Sequence, residues 1–169
     1  MTTKERELKK LCFSGLLVAM GVVCSAFAIP VGASKCLPIQ HMVNVIAGIT
    51  LGPIYGVTIA FVTSTIRILL GTGSLLAYPG SMCGALLCGV LYRLTKKPIC
   101  GYIGEVVGTG IIGALLSYPI GTLLLGKEMA LFGMVIPFSI STIGGTLIAG
   151  LLLTALFKTH ILQEDTRVE

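Results

Sequence analysis

The sequence predicts an all-α integral membrane protein, a compact six-transmembrane-helix bundle with its N- and C-termini cytoplasmic. Three observations carry that expectation. Of 169 residues only 12 are Lys or Arg and 7 Asp or Glu, 11% in all, whereas 54% are hydrophobic. A soluble domain averages about 25% charged residues, so this chain lacks the polar groups to cover a water-facing surface. Its apolar residues fall into runs punctuated by Pro and Gly, and its basic residues collect in a few short connections. The mean hydropathy of +0.97 agrees.

Six segments follow in order, over approximate spans 11–28, 37–51, 54–70, 79–94, 99–125 and 131–157. Together they form a single transmembrane domain, because the polar ends at 1–10 and 158–169 are too short to bury a core of their own. The first run begins after Lys4, Arg6, Lys9 and Lys10. It resembles a signal peptide ending at Ala26-Phe27-Ala28, but Glu5 and Glu7 weaken the basic start such a peptide needs. The second run is short and needs residues from Leu37 to Gln40 to approach a bilayer's width. Charge placement supports its crossing. Both the basic N-terminus and the loop holding Arg93, Lys96 and Lys97 should be cytoplasmic, so an even number of spans lies between them. The fifth and sixth runs then return Lys158 and Arg167 to the same side.

A formal charge of +5 on such a chain reports topology rather than a nucleic-acid partner. The six cysteines are scattered, without CxxC spacing, and read as small apolar packing residues; no metal site is expected. Small residues recur four apart, as in Gly80 with Gly84, Gly104 with Gly108, and Gly113 with Ser117, a spacing that lets helix backbones approach closely in lipid. On the first span Cys12, Gly15, Ala19 and Val23 make a similar stripe that suits docking of a second membrane protein.

Polar groups inside a bilayer are expensive, so their positions are informative. Under this topology they gather near the outer side: Gln40, His41 and Asn44 at the second span, Ser64 and Arg67 ending the third, Ser74, Tyr78 and Ser81 around the start of the fourth, and Ser117, Tyr118, Ser139 and Ser141 in the last two. Pro119 and Pro137 should distort two antiparallel helices at matching depth, freeing the carbonyls of Leu115 and Gly133 and framing an outward pocket. The free amides at the start of the fourth helix should face that pocket. His41 reads either as a ligand contact or as an interfacial residue. Arg67 reads as a ligand contact, a snorkelling cation or a structural hydrogen-bond donor. Glu105 is expected to pair with Arg93 or Lys96, or to lie at a partner interface. No paired carboxylate, HExxH, GxSxG or nucleotide motif supports an enzyme, and no ring of charge supports a pore.

The run from Pro30 to Cys36, Gln40-His41-Met42-Val43-Asn44, Leu51-Gly52-Pro53, and above all Leu70 to Met82 (LGTGSLLAYPGSM) resembles the ThiW family over essentially the whole chain. That resemblance implies a substrate-binding S component of an energy-coupling-factor (ECF) transporter in the cytoplasmic membrane, importing the thiamine precursor hydroxyethylthiazole. A related precursor such as a hydroxymethylpyrimidine is the alternative within that class, and a membrane scaffold or assembly protein without a small ligand the alternative outside it. The partners implied are a transmembrane T component, docked on Gly15 and Ala19, and two ATPase subunits. No cofactor is implied in this chain, ATP hydrolysis falling to the ATPases. The implied substrate-binding residues are Gln40, His41, Asn44, Arg67, Ser74, Tyr78, Ser81, Tyr118 and Ser139, with Phe138 adding a ring contact. The absence of tryptophan disfavours a cationic thiamine site.

Overall fold

The structure, a computed structural model, describes residues 3–27, 29–31, 34–126, 128 and 130–158. The side chain of Lys35, together with Lys127, His160 and Arg167, lies outside the described residues. Six helices account for the six predicted segments: α1 (Thr3–Val23, continued by a 3-10 turn, Cys24–Phe27), α2 (Pro38–Thr50), α3 (Pro53–Leu69), α4 (Ala77–Thr95), α5 (Pro98–Leu124) and α6 (Val135–Lys158). The one departure from an all-α chain is a short antiparallel hairpin, β1 (Ile29–Val31) with β2 (Ser34–Cys36), in the loop before α2. Proline opens α2, α3 and α5, where its missing N–H costs no hydrogen bond and its fixed φ already suits a helix. The α2–α3 turn depends on Gly52, whose φ of 91° is open to glycine and to few other residues.

Helices α1, α5 and α6 are each long and apolar enough to cross a membrane, and α3 is a shorter apolar helix. α2 is different. Its 13 residues extend about 20 Å, short of a hydrocarbon core of about 30 Å. The shortfall is tolerated because α2 is the centre of the bundle: every residue from Gln40 to Thr50 is buried, and α3, α4 and α6 pack around it. A helix that meets protein on all sides need not match the thickness of the lipid. The apolar side chains that do face outward belong to its neighbours, such as Leu16, Phe61, Ile111 and Leu147.

Glycines set the closest contact. A Cβ on Gly104 would fall 2.7 Å from the Leu87 carbonyl oxygen, one on Gly108 2.7 Å from that of Cys83, and one on Gly113 2.6 Å from the Cα of Gly80. The four-residue ridges of α4 and α5 are therefore one backbone-to-backbone seam. α1 sits at the edge, against α2 and α3. Tyr55 donates to Glu7 Oε2 (3.0 Å) near its start, and Ser25 donates to Thr72 Oγ (3.2 Å) at its far end. The predicted stripe faces away from the bundle: Cys12, Gly15, Ala19 and Val23 are exposed, and nothing lies within 4 Å of a Cβ built on Gly15.

The expected pair of proline distortions takes another form. Pro137 lies in the first turn of α6, so it has no intrahelical bond to lose, and Gly133 stands outside that helix in a turn. Pro119 does lie inside α5, and the chain after it widens into a π turn, Ile120–Leu124, with the Leu125 amide bonded five residues back to Ile120 (3.2 Å). It is exposed, facing away from the bundle interior. An earlier π segment, Gly108–Gly113, rotates α5 where it meets Gly80.

Gly108→Leu is predicted to destabilise the protein by about 1–3 kcal/mol through overpacking of the seam, whereas Gly15→Leu costs less than about 0.5 kcal/mol. Thermal unfolding of the two variants in detergent reads the difference.

Candidate substrate-binding site

Helical spacing brings a small set of polar residues to the middle of the bundle. On α2, Gln40 and Asn44 are one turn apart and His41 stands beside them; on α5, Glu105 and Thr109 are likewise one turn apart. Arg67 closes α3, and Ser81 lies early in α4. All are buried.

They form a directed chain of hydrogen bonds. Arg67 Nη1 donates to Gln40 Oε1 (3.2 Å), Gln40 Nε2 to Asn44 Oδ1 (3.4 Å), and Asn44 Nδ2 to Glu105 Oε1 (3.0 Å). Asn44 Nδ2 also donates to the Ser81 carbonyl (3.1 Å). A guanidinium can only donate and a carbonyl can only accept, so both amides have a single orientation. His41 Nδ1 lies 2.9 Å from the same Glu105 oxygen. Thr109 Oγ is 3.2 Å from it and 3.0 Å from the Gly80 carbonyl. Glu105 Oε2 and Arg67 Nε have no hydrogen-bond partner.

Glu105 corrects the sequence expectation. It does not pair with Arg93 or Lys96 and does not lie on a surface; it is 0% exposed and turned toward α2. Arg67, 2% exposed, does not snorkel. It makes no ion pair among the described residues and holds the structural hydrogen bond to Gln40.

Beside this chain is a cavity of about 540 Å³, bounded by α2, the end of α3, the start of α4, the start of α6 and the loops between them. Of the predicted residues, Gln40, His41, Arg67, Ser74 and Ser81 line it. Asn44 lies directly behind, holding Gln40 and Glu105 in register. Phe138 lines it too, with its ring packed where a side chain on Gly80 would be, 2.8 Å from a Cβ built there. The remaining three are placed elsewhere. Tyr78 meets Thr65 Oγ through its hydroxyl (2.9 Å) and stacks at a tilt on Phe61, with ring centroids 5.4 Å apart, on the outer flank of α3. Tyr118 lies beyond the first π segment of α5, away from the cavity wall. Ser139 packs on Gly110 in the α5–α6 contact. Sequence reasoning missed Thr109, Glu128, Met134 and Ser141 as lining residues. Only Thr109 had a signal, its one-turn spacing from Glu105.

The loop from Gly71 to Ser74 does not present free amides. Thr72 and Gly73 both donate to the Arg67 carbonyl (2.9 and 3.0 Å), closing the end of α3. The amides of Ala77 and Tyr78 are taken by the carbonyls of Ser74 and Leu75, and Pro79 has none. The loop therefore shapes the wall and positions Arg67, while side chains supply the polar contacts. Among the described residues no three His, Cys, Asp or Glu side chains cluster in a way that could hold a metal ion.

Asn44→Ala removes the middle link, leaving the Gln40 amide and the Glu105 carboxylate short of partners; it should lower stability by about 1–3 kcal/mol in thermal unfolding. Tyr78→Phe, away from the cavity, should leave ligand affinity within about twofold by titration calorimetry.

Searches of curated proteins and of solved structures return no match. A family model described as thiamine-precursor transporter protein (ThiW) matches residues 11–159, most of the chain and all six helices. The chain belongs to the ThiW family of thiamine-precursor transporters.

Proposed function

We propose that this protein is the substrate-binding S component of an ECF-type uptake system in the cytoplasmic membrane and that its cargo is hydroxyethylthiazole. The observation that carries this reading is the cavity: about 540 Å³, with Phe138, Leu76 and Met134 on its apolar walls and Gln40, His41, Arg67 and Ser81 as a limited polar set. A small, flat, neutral heterocycle with one ring nitrogen and one hydroxyl needs that balance of apolar wall and few directed hydrogen bonds. All six helices cross the membrane in this reading. The basic N-terminus and the Arg93–Lys97 turn lie in the cytoplasm, and the cavity faces outward.

Energy coupling falls to partners. The exposed face of α1, with Gly15 and Ala19 at its centre, is the docking surface for a transmembrane T component, small residues allowing close helix approach in lipid. Two ATPase subunits then supply ATP hydrolysis. Ser25 on the turn after α1 bonds to Thr72 of the cavity wall, so the docking helix and the site share one contact.

Mass spectrometry of material extracted from the purified protein, followed by titration with hydroxyethylthiazole and with a hydroxymethylpyrimidine, tests the cargo. The thiazole should bind and the pyrimidine should bind more weakly. Preference for the pyrimidine would reassign the cargo, and a folded sample binding neither would favour a scaffold. Ala19→Phe should keep thiazole affinity within about twofold and abolish uptake in cells carrying the ECF module; normal uptake would remove α1 as the docking face.

A further inference from the structure

We infer that the cavity imposes a polarity on its ligand: a hydroxyl hydrogen is given to Nε2 of His41 and an acceptor atom takes hydrogen bonds from Arg67. This inference rests on the thiazole reading and deepens it, from a ligand class to an orientation and a required donor group.

The geometry comes from the two ends of the buried chain. Glu105 Oε1 receives the Asn44 Nδ2 hydrogen at 3.0 Å, and Asn44 is pinned in that orientation by the Ser81 carbonyl. Glu105 is therefore an acceptor at that oxygen, and His41 Nδ1, 2.9 Å away, is the donor. The fully buried carboxylate and the buried guanidinium balance one another across the linked amides, which leaves the imidazole neutral. A neutral imidazole with its hydrogen on Nδ1 carries a lone pair on Nε2. Among the described residues Nε2 makes no hydrogen bond, and His41 lines the cavity. It can accept and cannot donate.

Arg67 is the opposite pole. It is 2% exposed, lines the same cavity, spends one nitrogen on Gln40, and keeps Nε without a partner. It can donate and cannot accept. The acid lining the cavity, Glu128, is exposed to solvent. In hydroxyethylthiazole the hydroxyl is the single donor, so it alone satisfies His41, and the ring nitrogen is the acceptor left for Arg67. Glu105 does not touch the ligand in this account. It is a positioning residue that sets which imidazole nitrogen carries the hydrogen.

The test compares hydroxyethylthiazole with its methyl ether, which keeps the oxygen as an acceptor and lacks the hydrogen. Wild-type protein should bind the ether at least about tenfold more weakly, since a site built around a hydroxyl rejects the analogue that cannot complete its bond. In His41→Phe the two ligands should bind with nearly equal, reduced affinity. In Glu105→Gln, whose amide can either donate to or accept from Nδ1, the ratio should shrink; a change that only loosened the fold would weaken both ligands and leave the ratio intact. Equal wild-type affinity for alcohol and ether would overturn the inference while leaving the thiazole reading standing, as would an unchanged ratio in His41→Phe. Failure of folded wild-type protein to bind either compound would overturn both. The wild-type comparison stands by itself if the variants do not fold.

Discussion

A cation and a carboxylate are buried in the same apolar bundle and joined, end to end, by two side-chain amides. Arg67, Gln40, Asn44 and Glu105 form that line, and much else in the structure follows from the need to complete it. Isolated charges in a low-dielectric core are strongly unfavourable. Linking them through oriented amides lets each charge stabilise the other without direct contact, and it gives the line a sense of direction, from donor to acceptor. An apolar substitute for the whole chain would be simpler to bury. The retained polarity makes sense as recognition: one atom at each end, Arg67 Nε and Glu105 Oε2, is still without a partner, and the side chains Arg67 and His41 face the cavity.

The packing makes this line possible. α2 carries its two central links, and α2 can be only 13 residues long because other helices surround it. Glu105 can reach it because α4 and α5 meet along glycines; with Gly84 replaced by any larger residue, the added Cβ would sit 2.7 Å from Glu105 Oε2. The glycine seam and the buried carboxylate are thus one feature seen from two sides. The same seam holds Gly80 against Phe138, which places an aromatic wall opposite the polar one. Small residues on α4 and α5 build the site, while the small residues on α1 are left free of any neighbour.

Much of the fold is readable from the sequence because its punctuation is physical. Pro38, Pro53 and Pro98 each begin a helix where proline is compatible with one, so the predicted spans at 54–70 and 99–125 differ from Pro53–Leu69 and Pro98–Leu124 by a single residue at each end. The site is less readable. Gln40, His41 and Arg67 stand out as polar residues in apolar runs, and they do line the cavity. Glu105 was misplaced because its depth was counted from the end of α5 as though every helix crossed the membrane alike; the short central α2 puts His41 level with it instead. Tyr118 was misplaced for a different reason. A π segment at Gly108–Gly113 adds a residue to the turn and rotates everything after it, so a side chain assigned to the inner face by a 3.6-residue period points elsewhere. Neither a burial depth that depends on a neighbour's length nor a local change of helical period leaves a signature in composition or spacing.

The central claim is that the buried line from Arg67 to Glu105 organises the ligand site. The most direct measurement is an experimental structure of the protein loaded with hydroxyethylthiazole. The account predicts ligand density in the cavity beside Phe138, with the hydroxyl within hydrogen-bond reach of His41 Nε2 and the ring nitrogen toward Arg67. Ligand seated elsewhere in the bundle, for instance against Tyr118 and Ser139, with the polar chain left undisturbed and uncontacted, would contradict it.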